Sequence, residues 1–145
     1  MRTTHSEKYV STLNEFLRGE ISAVETYSLA ISQLGGDANS TLRENHDCHS
    51  RRIILLRDKI IDAGGQPDTT SGAWGGFAKL VEKSASLAGK KAVYAALEEG
   101  EDHGLKEYRD TDNVDDAVNE VIHAHLLPAQ ERTHDRMRIL KNTTV

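Results

Sequence analysis

A single cysteine, Cys48, rules out a disulfide within the chain. That usage fits a reducing compartment, and the expectation is a cytoplasmic protein. Only two prolines occur in 145 residues, and the long segments carry no β-branched runs, so helix is favoured over strand throughout. No stretch of 18 apolar residues exists, so no segment reads as a membrane span. The first ten residues are polar and lack the apolar core of a signal peptide. Positive charge is also scarce: the formal net charge of −5 argues against nucleic acid or an anionic membrane as the main partner. Phosphate-binding glycine loops, paired Cys-x-x-Cys and nucleophile elbows are all missing.

What remains is a chain of single-domain length, 1–145, with the pattern of a helical bundle. Leu13, Leu17, Glu20, Val24, Tyr27, Ile31 and Leu34 recur at gaps of four and three, predicting a first helix over 6–34 that stops at Gly35-Gly36. Asp37 or Asn39 can cap a second helix, with Leu42, His46, His49, Ile53, Leu56 and Ile60 on its seam, ending at Gly64-Gly65 and Pro67. A Gly-rich stretch follows, and the spacing of Trp74, Phe77, Leu80 and Val81 predicts a short helix within 74–87. The third long helix covers 90–109, with Tyr94, Leu97, Glu101, Gly104 and Tyr108 inward. Asp112 or Asn113 would cap a fourth, 114–141, kinked by Pro128. Short loops make each pair an antiparallel hairpin, and a long crossover joins the two hairpins.

The hairpins resemble each other. Gly19-Glu20 precedes Tyr27 by the interval that separates Gly100-Glu101 from Tyr108. His46-x-x-His49-x-Arg51 parallels Glu131-x-x-His134-x-Arg136. An unpaired carboxylate in a dry core costs several kcal/mol, so polar groups on apolar seams need a partner. Glu20, His46, His49 and Glu101 lie on such seams, and Glu131 and His134 share one helix face. Oxygen and nitrogen donors from four helices point to a transition metal: iron, manganese or zinc rather than calcium or magnesium.

These residues resemble the ferritin-like superfamily of four-helix bundles. The segment Leu13-Asn14-Glu15-Phe16-Leu17-Arg18-Gly19-Glu20, with Ala23 and Tyr27, is similar to the first helix of bacterioferritins. The layout and Gly100-Glu101 look closer to small bacterial ferritin-like domains of unassigned, stress-associated function. The resemblance implies an all-α ferritin-like fold and two iron ions reacting with dioxygen or peroxide in a ferroxidase- or peroxidase-like manner. Glu20 and Glu101 would be the single carboxylates, Glu131 with His134 the intact Glu-x-x-His pair, and His49 the second histidine. It also makes Tyr27 and Tyr108 donors to a carboxylate on a facing helix.

His46 departs from that pattern, because the family places a bridging Glu there. Glu98, one turn before Glu101, would restore the missing carboxylate. The departure keeps open a single-metal or zinc site, and a non-enzymatic helical stress or interaction protein with a degenerate site. His5 and His103 are expected at the surface, His123 and His125 at the surface or in a dimer contact. Cys48 is expected at the bundle edge with no redox role, and Arg51 and Arg136 beside acidic partners. A homodimer is the largest assembly expected.

Overall fold

The computed structural model describes residues 5–71, 79, 81, 89–112 and 114–144, and in these residues every regular element is a helix. Helix α1 spans His5–Leu34, α2 Ser40–Asp62, α3 Lys90–Arg109, α4 Asp116–Val121 and α5 Leu127–Thr143. A π turn, Ile122–Leu126, joins α4 to α5 without leaving helical backbone, so the three form one fourth bundle helix. Of the helix expected within 74–87, Lys79 and Val81 are described, both in helical backbone, and the rest lies outside the described residues. No described helix is long and apolar enough to cross a membrane.

The boundaries follow local chemistry. Asn39 caps α2 by accepting from the Thr41 N–H at 2.9 Å, one of the two caps expected for this helix. Gly64, at φ 82°, supplies the left-handed turn beyond α2. The fourth helix begins two residues later than predicted, after Asp115. Its expected proline kink takes the form of the π turn. Pro128 brings no N–H to the ladder, and the Leu127 N–H reaches back five residues to the Ile122 carbonyl. That extra residue turns the face of everything that follows.

Named contacts set the directions. Glu20 meets His49 while Tyr27 meets Asn45, and Arg109 meets Glu131 while Glu98 meets Lys141, so α1–α2 and α3–α5 are antiparallel hairpins. Across the hairpins, Glu20 meets Tyr108 while Tyr27 meets Glu101, so α1 and α3 are antiparallel too. It follows that α2 and α3 run the same way, so the connection between them leaves α2 at one end of the bundle and enters α3 at the other. Its start is fastened to α1: Asn14 donates to the Gln66 carbonyl at 3.0 Å and accepts from the Asp68 N–H at 2.8 Å, and Arg18 pairs with Asp68. Val81 is buried near the other end of α1, in the cluster of Ala23, Tyr27 and Ala30.

The core is divided. One apolar cluster gathers Ala23, Ala30, Leu42, Tyr94, Leu97 and Met137. The other gathers Leu13, Leu17, Leu56, Ile60, Ile122 and Leu126. Tyr27 belongs to the first and Tyr108 to the second, and their hydroxyls turn toward a buried polar layer between.

A charge-balanced polar layer as the candidate functional site

Four helices build that layer. Glu20 comes from α1, Asn45, His49 and Arg52 from α2, Glu101 from α3, and Gln130 and Thr133 from α5, all buried. His49 sits at its centre. Nδ1 lies 2.5 Å from Glu20 Oε1, and Nε2 lies 2.8 Å from Glu101 Oε2. Both nitrogens face carboxylate oxygens, so both carry protons and the ring is an imidazolium. Burial and the nearby Arg52 charge push its pKa down, but Glu101 and Glu20 outweigh them and hold it at about 8.

Arg52 is the second cation. It is 3% exposed. Its Nη1 donates to Gln130 and faces Glu20 Oε2 at 3.4 Å. Its Nη2 donates to Thr133 Oγ1 at 2.8 Å, to the Ala129 carbonyl at 3.0 Å and to Cys48 Sγ at 3.4 Å. The Thr133 hydroxyl passes its own proton on to Glu101 Oε1 at 2.6 Å. Gln130 Nε2 donates to that same oxygen at 2.8 Å, and Tyr27 donates to Oε2 at 2.6 Å. Glu101 therefore accepts from four side chains, the full lone-pair capacity of a carboxylate. Glu20 accepts from His49, Arg52 and, at 2.5 Å, the Tyr108 hydroxyl. Burial would raise the Glu20 pKa, but Arg52, His49 and these hydrogen bonds bring it down to about 2. Glu101 is likewise lowered against its burial, chiefly by His49. Burial raises both tyrosines well above their ordinary value, so their hydroxyls stay protonated donors. Two carboxylates against a guanidinium and an imidazolium leave the layer with no net charge.

The reciprocal pairs Tyr27–Glu101 and Tyr108–Glu20 realise the sequence repeat between the first and third helices. The repeat does not extend to the second and fourth. There the inward residues are Asn45, His49 and Arg52 on one side, Gln130 and Thr133 on the other.

Of the seven residues singled out as metal ligands, Glu20, His49 and Glu101 meet in this layer. The other four lie apart from it. His46 is part-exposed and bonds its neighbour Asp47 at 3.0 Å. Glu98, low in exposure, pairs with Lys141. Glu131 is half exposed, 3.6 Å from Arg109, and His134 Nε2 meets Asp102 at 2.5 Å on the bundle rim. Among the described residues, no group of three His, Cys, Asp or Glu side chains is arranged to hold a metal ion. The geometry gives the reason for the central three: the carboxylates occupy opposite nitrogens of one ring, which point away from each other and share no common centre.

Sequence reasoning missed Asn45, Arg52, Gln130 and Thr133. Arg136 does find an acidic neighbour, Glu44 at 3.8 Å, as expected. His123 and His125 are both exposed. Cys48 is buried beside Arg52. Burial raises its thiol pKa, but Arg52, His49 and Arg51 bring the net result below the ordinary value.

Two neighbours of the layer make separate predictions. Gly104 lets α3 approach Gln130 closely, since a Cβ there would stand 2.7 Å from Gln130 Nε2. Gln130 cannot swing away without releasing Glu101 and Arg52. Gly104→Ala is expected to destabilise by about 1–3 kcal/mol in urea denaturation, the range for overpacking. Adding Gln130→Ala should recover part of that loss, and purely additive costs would contradict the contact. Glu107 lies just outside the layer, its pKa raised to about 7 by burial and then by Glu20 and Glu15. Glu107→Gln removes that ionisation, so at pH 8 the variant should be about 1–2 kcal/mol more stable than the parent. At pH 4.5 the two should melt together.

Comparison with family models, with curated proteins and with solved structures gives no match to the chain.

Proposed function

We propose that this chain is a ferritin-like helical protein whose core neutralises its own charge, and that it serves as a non-catalytic bundle with a degenerate metal site. The observation that carries the reading is Arg52. A permanent guanidinium stands beside Glu20, and an imidazolium bridges Glu20 to Glu101. The cationic work that metal ions would do in such a core is done by side chains.

The charges of the layer support this. With His49 neutral, two divalent ions would leave Arg52 and the two carboxylates with a net charge of plus three in a dry core. That cost is many kcal/mol even after relaxation. Two iron ions therefore do not fit these residues. A second reading is one iron, manganese or zinc ion. It is favoured by three ligand-type side chains from three helices, with His49 in hydrogen-bonding range of both carboxylates, and it requires His49 to lose a proton and one carboxylate to move.

Metal analysis of untagged protein from cells supplied with iron, manganese and zinc tests both. The proposal expects far less than one ion per chain and no shift in melting temperature on adding any of the three. One tightly held ion per chain with a raised melting temperature would establish the second reading instead. Two ions per chain with ferroxidase activity would overturn the charge argument.

A further inference from the structure

Beyond the buried layer, a cleft of about 290 Å³ opens between α2 and the π turn. Cys48, Arg51, Arg52 and Leu55 form one wall, and His125, Pro128 and Arg132 are among the residues opposite. Among the described residues no carboxylate lines it, in a chain whose formal net charge is −5. Arg51 and Arg132 have no ion-pair partner among the described residues. The third guanidinium, Arg52, is almost wholly buried, and its Nε is shielded from solvent with no hydrogen-bond partner. A buried N–H left without an acceptor costs about 1–3 kcal/mol, and here it belongs to a residue that lines an open cleft.

We infer that this cleft binds a small phosphate-class oxyanion, either inorganic phosphate or the phosphate group of a small metabolite. The guanidinium forks of Arg51 and Arg132 suit the in-plane oxygens of such a group. Arg52, whose Nε–H is a buried donor without an acceptor, belongs to the same wall, and the His125 imidazole lies in the lining opposite. The local excess of positive charge matches a dianion better than a monovalent carboxylate. The volume admits a phosphate with a few attached carbons. The inference is independent of whether the core holds a metal.

The test is calorimetric titration of the full chain with inorganic phosphate, glycerol phosphate and acetate, with ionic strength held constant by chloride. Saturable binding of a phosphate is expected, at least tenfold tighter than acetate. The preferred phosphate identifies the source: tighter inorganic phosphate points to the free ion, tighter glycerol phosphate to a metabolite. Arg51→Ala with Arg132→Ala should weaken binding at least tenfold, and should abolish any phosphate-dependent rise in melting temperature. Both residues are exposed, so the double variant is expected to fold, which circular dichroism checks. Arg43→Ala with Arg57→Ala removes the same charge outside the cleft and should leave affinity unchanged. No saturable phosphate binding, equal binding of acetate, or equal weakening by the two double variants would overturn the inference.

Discussion

Arg52→Met is expected to destabilise the fold by about 3–5 kcal/mol, the cost of leaving a buried charge without its partner. Methionine keeps the length and apolar stem but removes every donor. Glu20 then retains His49 and Tyr108, while Gln130 Oε1, Thr133 Oγ1 and the Ala129 carbonyl each lose a hydrogen from the guanidinium. The layer acquires a net negative charge shared over Glu20 and Glu101. The double variant Glu20→Gln with Arg52→Met restores neutrality, since His49 and Glu101 remain a matched pair. It should recover more than half of the loss in urea denaturation at pH 6. The single variant should also gain what the parent lacks: added zinc or manganese should raise its melting temperature and leave the parent's unchanged. An Arg52→Met protein within about 1 kcal/mol of the parent would show that the guanidinium is a bystander, because a buried pair broken on one side is costly.

How much of this was legible depends on where each partner lies. In the third helix, Tyr94, Leu97, Glu101, Gly104 and Tyr108 are all buried as their spacing predicts. The second helix admits two seams of helical spacing. One passes through His46 and Ile53, the other through Asn45 and Arg52, and both share Leu42, His49, Leu56 and Ile60. Apolarity favours the first, because an isoleucine outranks an arginine as a core residue. The structure takes the second, because Arg52 is neutralised by Glu20 and held by Gln130 and Thr133 from other helices. No pattern local to the second helix encodes those partners.

The fourth helix fails a period-based reading for a different reason. A fixed period of 3.6 cannot carry a face through the five-residue π turn, and Pro128 is its only local sign. Beyond it, Gln130 and Thr133 point inward at the same three-residue spacing as Glu131 and His134. Metal-ligand chemistry makes the second pair conspicuous and the first pair inconspicuous. Yet two neutral side chains are what a carboxylate already matched by cations needs, because they donate hydrogens without adding charge. The tyrosines were the clearest signal: each sits seven residues after a seam glutamate, and each hydroxyl crosses to the glutamate of the other hairpin.

The same chemistry fixes a stability profile with two limbs. Glu20 titrates at about 2 in the fold, against an ordinary value of 4.5. A lowered carboxylate pKa stabilises the fold above the ordinary value, and that contribution is lost as pH falls from 4.5 toward 2, about 3 kcal/mol in all. His49 moves the other way, from 6.5 to about 8. A raised pKa stabilises the fold below the ordinary value, so about 2 kcal/mol is lost as pH rises from 6.5 through 8. Glu107, raised to about 7, also loses stability with rising pH, but between 4.5 and 7. Placing the measurements in the Glu107→Gln background removes that overlap and leaves a plateau between the two limbs. Urea midpoints from pH 3 to 9 should fall on both sides of it. Adding His49→Gln should lower the plateau and flatten the alkaline limb, while Glu20→Gln should flatten the part of the acid limb that Glu20 contributes and leave that of Glu101, which is also lowered. A parent whose stability stays level from pH 6.5 to 9 would mean that the ring between the two carboxylates is neutral. One of its hydrogen bonds to Glu20 or Glu101 would then have to be carried by a protonated carboxyl, and Arg52 would face a single negative charge instead of two.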